Sequence, residues 1–209
     1  MRAGRALLAA AALLLFVAQG AWAWGPHPAI TKAALAVLPE KARWTAALGE
    51  ANVSALTHYC WMPDQQGEDL GSFYADDYLL FRAQPRYPAH GMPGVRATYR
   101  PYFLRALQAL RTETPANACR QIGPLVHLVE DTGAPPHAKE RCPNHGEMEN
   151  WIDAEQIAVP GYQAKLLGRT DEEALQGLIQ RMDALAAFSI ERADRALPLV
   201  RAAEPDRAK

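Results

Sequence analysis

The stretch from His127 to Asp153, HLVEDTGAPPHAKERCPNHGEMENWID, gathers side chains that metal ions use as ligands. It holds three of the six histidines of the chain. His127 and Asp131 stand four residues apart, and His145 and Glu149 repeat that spacing. On a helix, residues at i and i+4 lie one above the other on the same face, so each pair presents an imidazole and a carboxylate to one point. Between the pairs, Ala134-Pro135-Pro136 must end the first helix, because proline lacks a backbone donor and clashes with the preceding turn. His137 then sits on a hinge from which it can turn toward either pair. Five nitrogen or oxygen donors suffice for more than one zinc ion. A lone His–Asp pair at this spacing is ordinarily a surface hydrogen bond. Two pairs flanking a third histidine are read as a metal site.

A second chemical feature lies at the N-terminus. Met1–Arg5 is basic, Ala6–Ala18 is an apolar run, and Ala21-Trp22-Ala23 has the small-x-small form of a cleavage site. The run is too short to span a bilayer, so residues 1–23 read as a secretory signal and the mature chain has no transmembrane segment. The expected domain is 24–209, exported to the periplasm or the medium. Cleavage before Trp24 would create an α-amino group with a pKa of about 8, low enough to yield a metal. That amine and the Trp24 carbonyl oxygen can chelate one ion, with His27 three residues further on in WGPHPAIT. The plainer reading is an aromatic N-terminus tucked into the core, with His27 beside a helix start.

The elements that must position these residues read as helices. Hydrophobic residues make up 49% of the 209 and charged residues 22%, enough apolar content for one buried core. His27–Leu38 shows an amphipathic face through Ile30, Ala33, Ala34, Val37 and Leu38, ended by Pro39. Lys41–Leu48 is a second short helix, residues 58–69 are turn-like, and Asp69–Arg82 is helical. The proline-rich segment 83–94 is a loop, and Val95–Arg111 resumes helical periodicity with Pro101 as a kink or a true start. Asn117 is the expected cap of a helix from Ala118 to Thr132, although Gly123-Pro124 weakens it. Asp171 caps a helix through Leu185, and another runs on to Leu197. No segment alternates as a strand does. The fold class is all-α, a compact helical bundle with metal ligands projecting from facing helices and their loops.

Charge and cysteine usage narrow the function. The net charge is −1, and loss of Arg2 and Arg5 with the signal makes the mature chain more acidic, which argues against a large nucleic-acid footprint. Cys60, Cys119 and Cys142 show no CxxC spacing and are read as structural cysteines, with their pairing open.

A chain beginning with Trp24, with His27 nearby, a Pro63-Asp64 turn, then His127-x3-Asp131-x5-His137 and His145-x3-Glu149, resembles the bacterial zinc-dependent phospholipase C family. The fungal single-strand-specific nucleases share that fold and its site of about three zinc ions. The resemblance implies that Trp24 and His27 hold one zinc, sharing the bridging carboxylate of Asp131. It implies that His127 and Asp131 hold a second with Asp64 and His90, and that His137, His145 and Glu149 hold the third. His58 is the rival of His90 in that set. Glu149, where the nucleases usually place an aspartate, is nearer to the phospholipases.

The ligand pattern and the resemblance together imply an exported zinc-dependent phosphodiesterase that hydrolyses phospholipids by metal-activated hydroxide, with transient contact to a membrane surface. Zinc would lower the pKa of water to about 7, and Asp64 would orient or deprotonate that water as well as ligating. Asn150, Asp153 and Glu130 are candidates to fix the ligand imidazoles. Glu130 points about 100° away from Asp131 around the helix, however, which favours solvent. The alternatives are a single-strand nuclease or 3′-nucleotidase on the same site, or a non-catalytic zinc-binding relative.

Overall fold

In a computed structural model the described residues are 26–65, 93–138 and 165–207; all their regular structure is helical, and none lies in a strand. The order is α1 (His27–Ala36), α2 (Lys41–Leu48), α3 (Glu50–Ser54), α4 (Leu56–Tyr59), a 3-10 turn (Met62–Gln65), α5 (Arg96–Thr112), α6 (Pro115–Gly133), α7 (Pro135–Ala138) and α8 (Asp171–Arg207). The all-α class expected from the sequence is the class observed. The expected helix over 69–82 and the loop 83–94 lie outside the described residues, apart from the last two positions of that loop.

Helix α6 packs against every other described helix, and its boundaries are set locally. Thr114 has extended backbone angles, and its hydroxyl accepts the Asn117 N–H at 3.3 Å, while Pro115 occupies the first turn. The cap is therefore Thr114 and not Asn117, because Thr-Pro supplies both the acceptor and the preset φ. The helix runs through Pro124. At its other end Ala134 turns extended before Pro135, as a residue preceding proline prefers. Ser189 of α8 donates to the carbonyl of Gly133 at 2.8 Å, satisfying one of the carbonyls that a helix end leaves over.

Gly123 has a packing reason. A Cβ there would lie 2.3 Å from Tyr59 Cβ and 2.6 Å from the Tyr59 carbonyl carbon, so only glycine lets α4 come this close. That approach brings the backbone at the end of α4 against the next turn of α6.

Helices α5, α6 and α8 enclose the main core, where Tyr99, Phe103, Leu128, Leu175 and Met182 meet. A smaller cluster of Leu48, Val53, Leu56, Ala118 and Cys119 lies under α2–α4. Thr170 and Glu173 start α8 with a capping box: the Thr170 hydroxyl accepts the Glu173 N–H, and the Glu173 carboxylate accepts the Thr170 N–H, each at 3.2 Å. Asp171 is thus the first helical residue instead of the cap. The helix also continues through Leu185 without a break. Its buried positions Leu175, Leu178, Met182, Ala186, Ser189, Ala193 and Leu197 form one stripe at spacings of three and four, and no residue near 185 interrupts it.

Candidate metal centre

His127 and Asp131 lie one turn apart on α6, as their spacing predicted, with His127 Nε2 3.0 Å from Asp131 Oδ2 and both side chains fully buried. Helix α1 begins at His27, whose ring stacks on that of His127 with centroids 4.3 Å apart. His27 Nε2 is 3.3 Å from Asp131 Oδ1. The break at Ala134 and the single turn of α7 carry the chain back, so that His137 Nε2 comes to 3.7 Å from the same oxygen. Three imidazoles from three helices converge on one carboxylate, and His27, His127 and Asp131 form a buried group that could hold a metal ion.

The outer ring nitrogens fix how these imidazoles face. His127 Nδ1 is 2.8 Å from the Cys60 carbonyl, which can only accept, so Nδ1 carries a hydrogen and Nε2 is left to face Asp131. The close approach permitted by Gly123 is what places this carbonyl. His27 Nδ1 is 2.6 Å from Glu130 Oε2, and the Thr31 hydroxyl donates to Glu130 Oε1 at 2.6 Å. A backbone carbonyl on one ring and a carboxylate on the other are the usual partners of metal-ligating histidines.

Glu130 corrects the expectation of solvent exposure: it is 8% accessible. Helix α1 covers this side of α6 and offers Glu130 two donors, His27 and Thr31, spaced one turn apart.

Electrostatics place opposite charges together in this buried group. Burial alone would raise Asp131, but the charges of His127 and His137, with hydrogen bonds from His127 and His27, hold it well below the ordinary carboxylate range. Burial of His27 opposes its protonation, yet hydrogen bonds to Asp131 and Glu130 outweigh it and raise the ring from 6.5 to about 10. Two carboxylates require positive charge here, from ring protons or from a metal. His27, His127 and Asp131 offer ligand atoms that lie within 4.8 Å of one another, close enough to share a metal ion.

The remaining ligand candidates divide. Asp64 lies in the 3-10 turn, which packs against α4 and α6, but its side chain is outside the described residues. Trp24, His90, His145 and Glu149 lie outside the described residues, as do Asn150, Asp153 and Cys142. His58, the rival of His90, is exposed on α4, its ring 5.6 Å from that of Tyr59 and 6.5 Å from that of Trp61, and it does not join the buried group. Cys119 is a buried thiol, pushed up to about 11 by burial, in keeping with a structural role.

Comparison with family models, with curated proteins and with solved structures finds no match to this chain. Among the described residues no helix is long and apolar enough to cross a membrane.

Proposed function

We propose that the protein is a zinc-dependent phosphodiesterase of phospholipase C type, exported after removal of residues 1–23, with its catalytic centre built on Asp131. The observation that carries this reading is the convergence of His27, His127 and His137 on one buried carboxylate, with two of the rings oriented from behind. A divalent metal in this centre would supply a Lewis acid for the phosphoryl oxygens and a water acidic enough to ionise near neutral pH.

The chain's own residues would do the positioning. Asp131 provides the shared carboxylate, Glu130 and the Cys60 carbonyl hold the ring tautomers, and Asp64, from a turn seated on α6, would orient the attacking water. Trp24 precedes His27 by three residues, so a free amine there reaches at most about 10 Å from α1. His90, His145 and Glu149 would complete a site of about three zinc ions.

Metal analysis of the purified protein and turnover of bis-p-nitrophenyl phosphate test this together. Zinc-dependent hydrolysis that chelation abolishes is expected. Bound zinc without turnover would leave a non-catalytic zinc protein, and no bound metal would remove the reading. Phosphatidylcholine vesicles are the expected substrate in preference to single-stranded DNA, and the reverse order would make the protein a nuclease.

A further inference from the structure

Helix α1 carries His27 into the metal centre, yet little in its own sequence holds it as a helix. It has ten residues, Pro26 supplies no side-chain cap, and its first turn has no acidic residue. Isolated helices shorter than about 12–15 residues are marginal in water, so the shape of α1 depends on what it docks against. It packs on α4 and α6. The side chains it buries there are His27 and Thr31, both polar, while Ile30 and Leu35 stay half-buried. Among the described residues the main apolar core contains nothing from α1, and the smaller cluster meets it only through the partly buried Leu35. What ties α1 to α6 is polar: His27 Nδ1 lies 2.6 Å from Glu130 Oε2, His27 Nε2 lies 3.3 Å from Asp131 Oδ1, and Thr31 donates to Glu130 Oε1 at 2.6 Å.

We propose that α1 is a strap that metal binding fastens to α6. His27 offers a ligand atom from α1, and His127 and Asp131 offer theirs from α6, so one ion held by this group crosslinks the two helices. When α1 lifts, that ion loses an imidazole and Glu130 loses two donors, whereas the core between α5, α6 and α8 keeps its members. A ligand that binds the closed form more tightly than the open one must shift the population toward closure. The Thr31–Glu130 tie sits one turn from His27 and holds α1 whether or not metal is bound. This coupling rests on the metal centre proposed above and not on its hydrolase chemistry.

Amide hydrogen exchange of the full chain, stripped by a chelator or loaded with zinc, tests the strap through peptides covering 27–38, 99–110 and 172–190. In stripped protein α1 should exchange well ahead of α5 and α8, because it opens without the core. Zinc at about 100 times its Kd should slow α1 about tenfold or more. His27→Ala should remove that slowing. Thr31→Val keeps the metal ligands and should speed α1 exchange about tenfold with or without zinc, leaving α5 unchanged and zinc still bound. Exchange of α1 in step with α5 in the stripped protein would overturn the strap, as would unchanged α1 exchange in Thr31→Val. Bound zinc that leaves α1 exchange unaltered would overturn the coupling and spare the metal centre. No bound zinc in the wild type would remove both.

Discussion

Among the described residues, two sets of charged contacts join helices, and they sit in opposite surroundings. Between α5 and α8, Arg96 reaches Asp183 at 2.6 Å, Arg100 reaches Glu172 at 3.2 Å and Arg111 reaches Asp171 at 2.6 Å, all in water. Between α1, α6 and α7, three imidazoles meet Asp131, and Glu130 stands behind one of them, out of water. Exposed pairs contribute little because solvent screens them and long side chains must be ordered. The buried set is a different matter. Withdrawing each ion from water costs several kcal/mol even after relaxation, and mutual attraction regains this only when the geometry is good. Adhesion between α1 and α6 could be had at less cost from apolar contacts like those of Leu128 with the core. The contrast teaches that the α5–α8 pairs decorate a helix contact made by its core, whereas the Asp131 group is better accounted for by binding than by adhesion.

The largest expected effect comes from Asp131→Asn. It leaves three imidazoles around an amide, so bound zinc should be lost and the chain destabilised by about 3–5 kcal/mol, read by metal analysis and urea unfolding. Wild-type zinc content in this variant would break the contrast, because the buried group would then be only an ion-pair cluster.

The next prediction concerns pH in protein stripped of metal by a chelator. His27 is raised above its unfolded value of about 6.5, so its contribution is fully present below that value and is lost as the pH rises through about 10. Asp131 is lowered, so its contribution is present above its unfolded value of about 3.9 and is lost as the pH falls through its folded value. Urea midpoints of the stripped protein should therefore fall on the alkaline side from about pH 6.5 to about pH 10. Restored zinc displaces the His27 proton and should flatten that decline. A midpoint that holds steady across this range without metal would show that the buried charges are not coupled as the distances imply.

Glu130→Gln comes third and asks whether the residue behind His27 tunes the metal. The amide keeps the size and can still accept from Thr31, but it loses the charge that holds the His27 N–H. Zinc affinity or turnover should drop about 10–100-fold with the fold retained. An unchanged affinity would separate Glu130 from the centre and make it a structural partner of Thr31 alone.

How much of this was legible in the sequence depends on the range of each interaction. Local signals held: His127 and Asp131 share a helix face, and Pro135-Pro136 ends that helix where expected. Helix starts were missed by a few residues where a better cap stood just upstream, Thr114 ahead of Asn117 and Thr170 ahead of Asp171. The unbroken α8 rests on a stripe that only packing against α5–α7 makes visible. Glu130 could not be read from α6 alone, since the helix that covers it begins at His27, about 100 positions away in the chain. Gly123 read as a weakness because its reason, the approach of Tyr59, is tertiary. The ion pairs between α5 and α8 carry no local signal either.

Those ion pairs give the smallest prediction and the sharper side of the comparison. Arg96 donates to one Asp183 oxygen through both Nε and Nη2, at 2.9 and 2.6 Å, and so lacks the two-on-two pairing that Arg111 makes with both oxygens of Asp171. Arg96 and Asp183 also stay 54% and 38% accessible, so water competes for the same groups. Arg96→Ala should lower stability by about 0–1 kcal/mol, and the loss should shrink as salt is added. Metal content should stay at the wild-type level, because Arg96 touches no part of the Asp131 group. A loss as large as that of Asp131→Asn would erase the distinction between the two sets. A salt-sensitive change of a few tenths of a kcal/mol, with zinc retained, would locate the binding work wholly on the α1–α6 side.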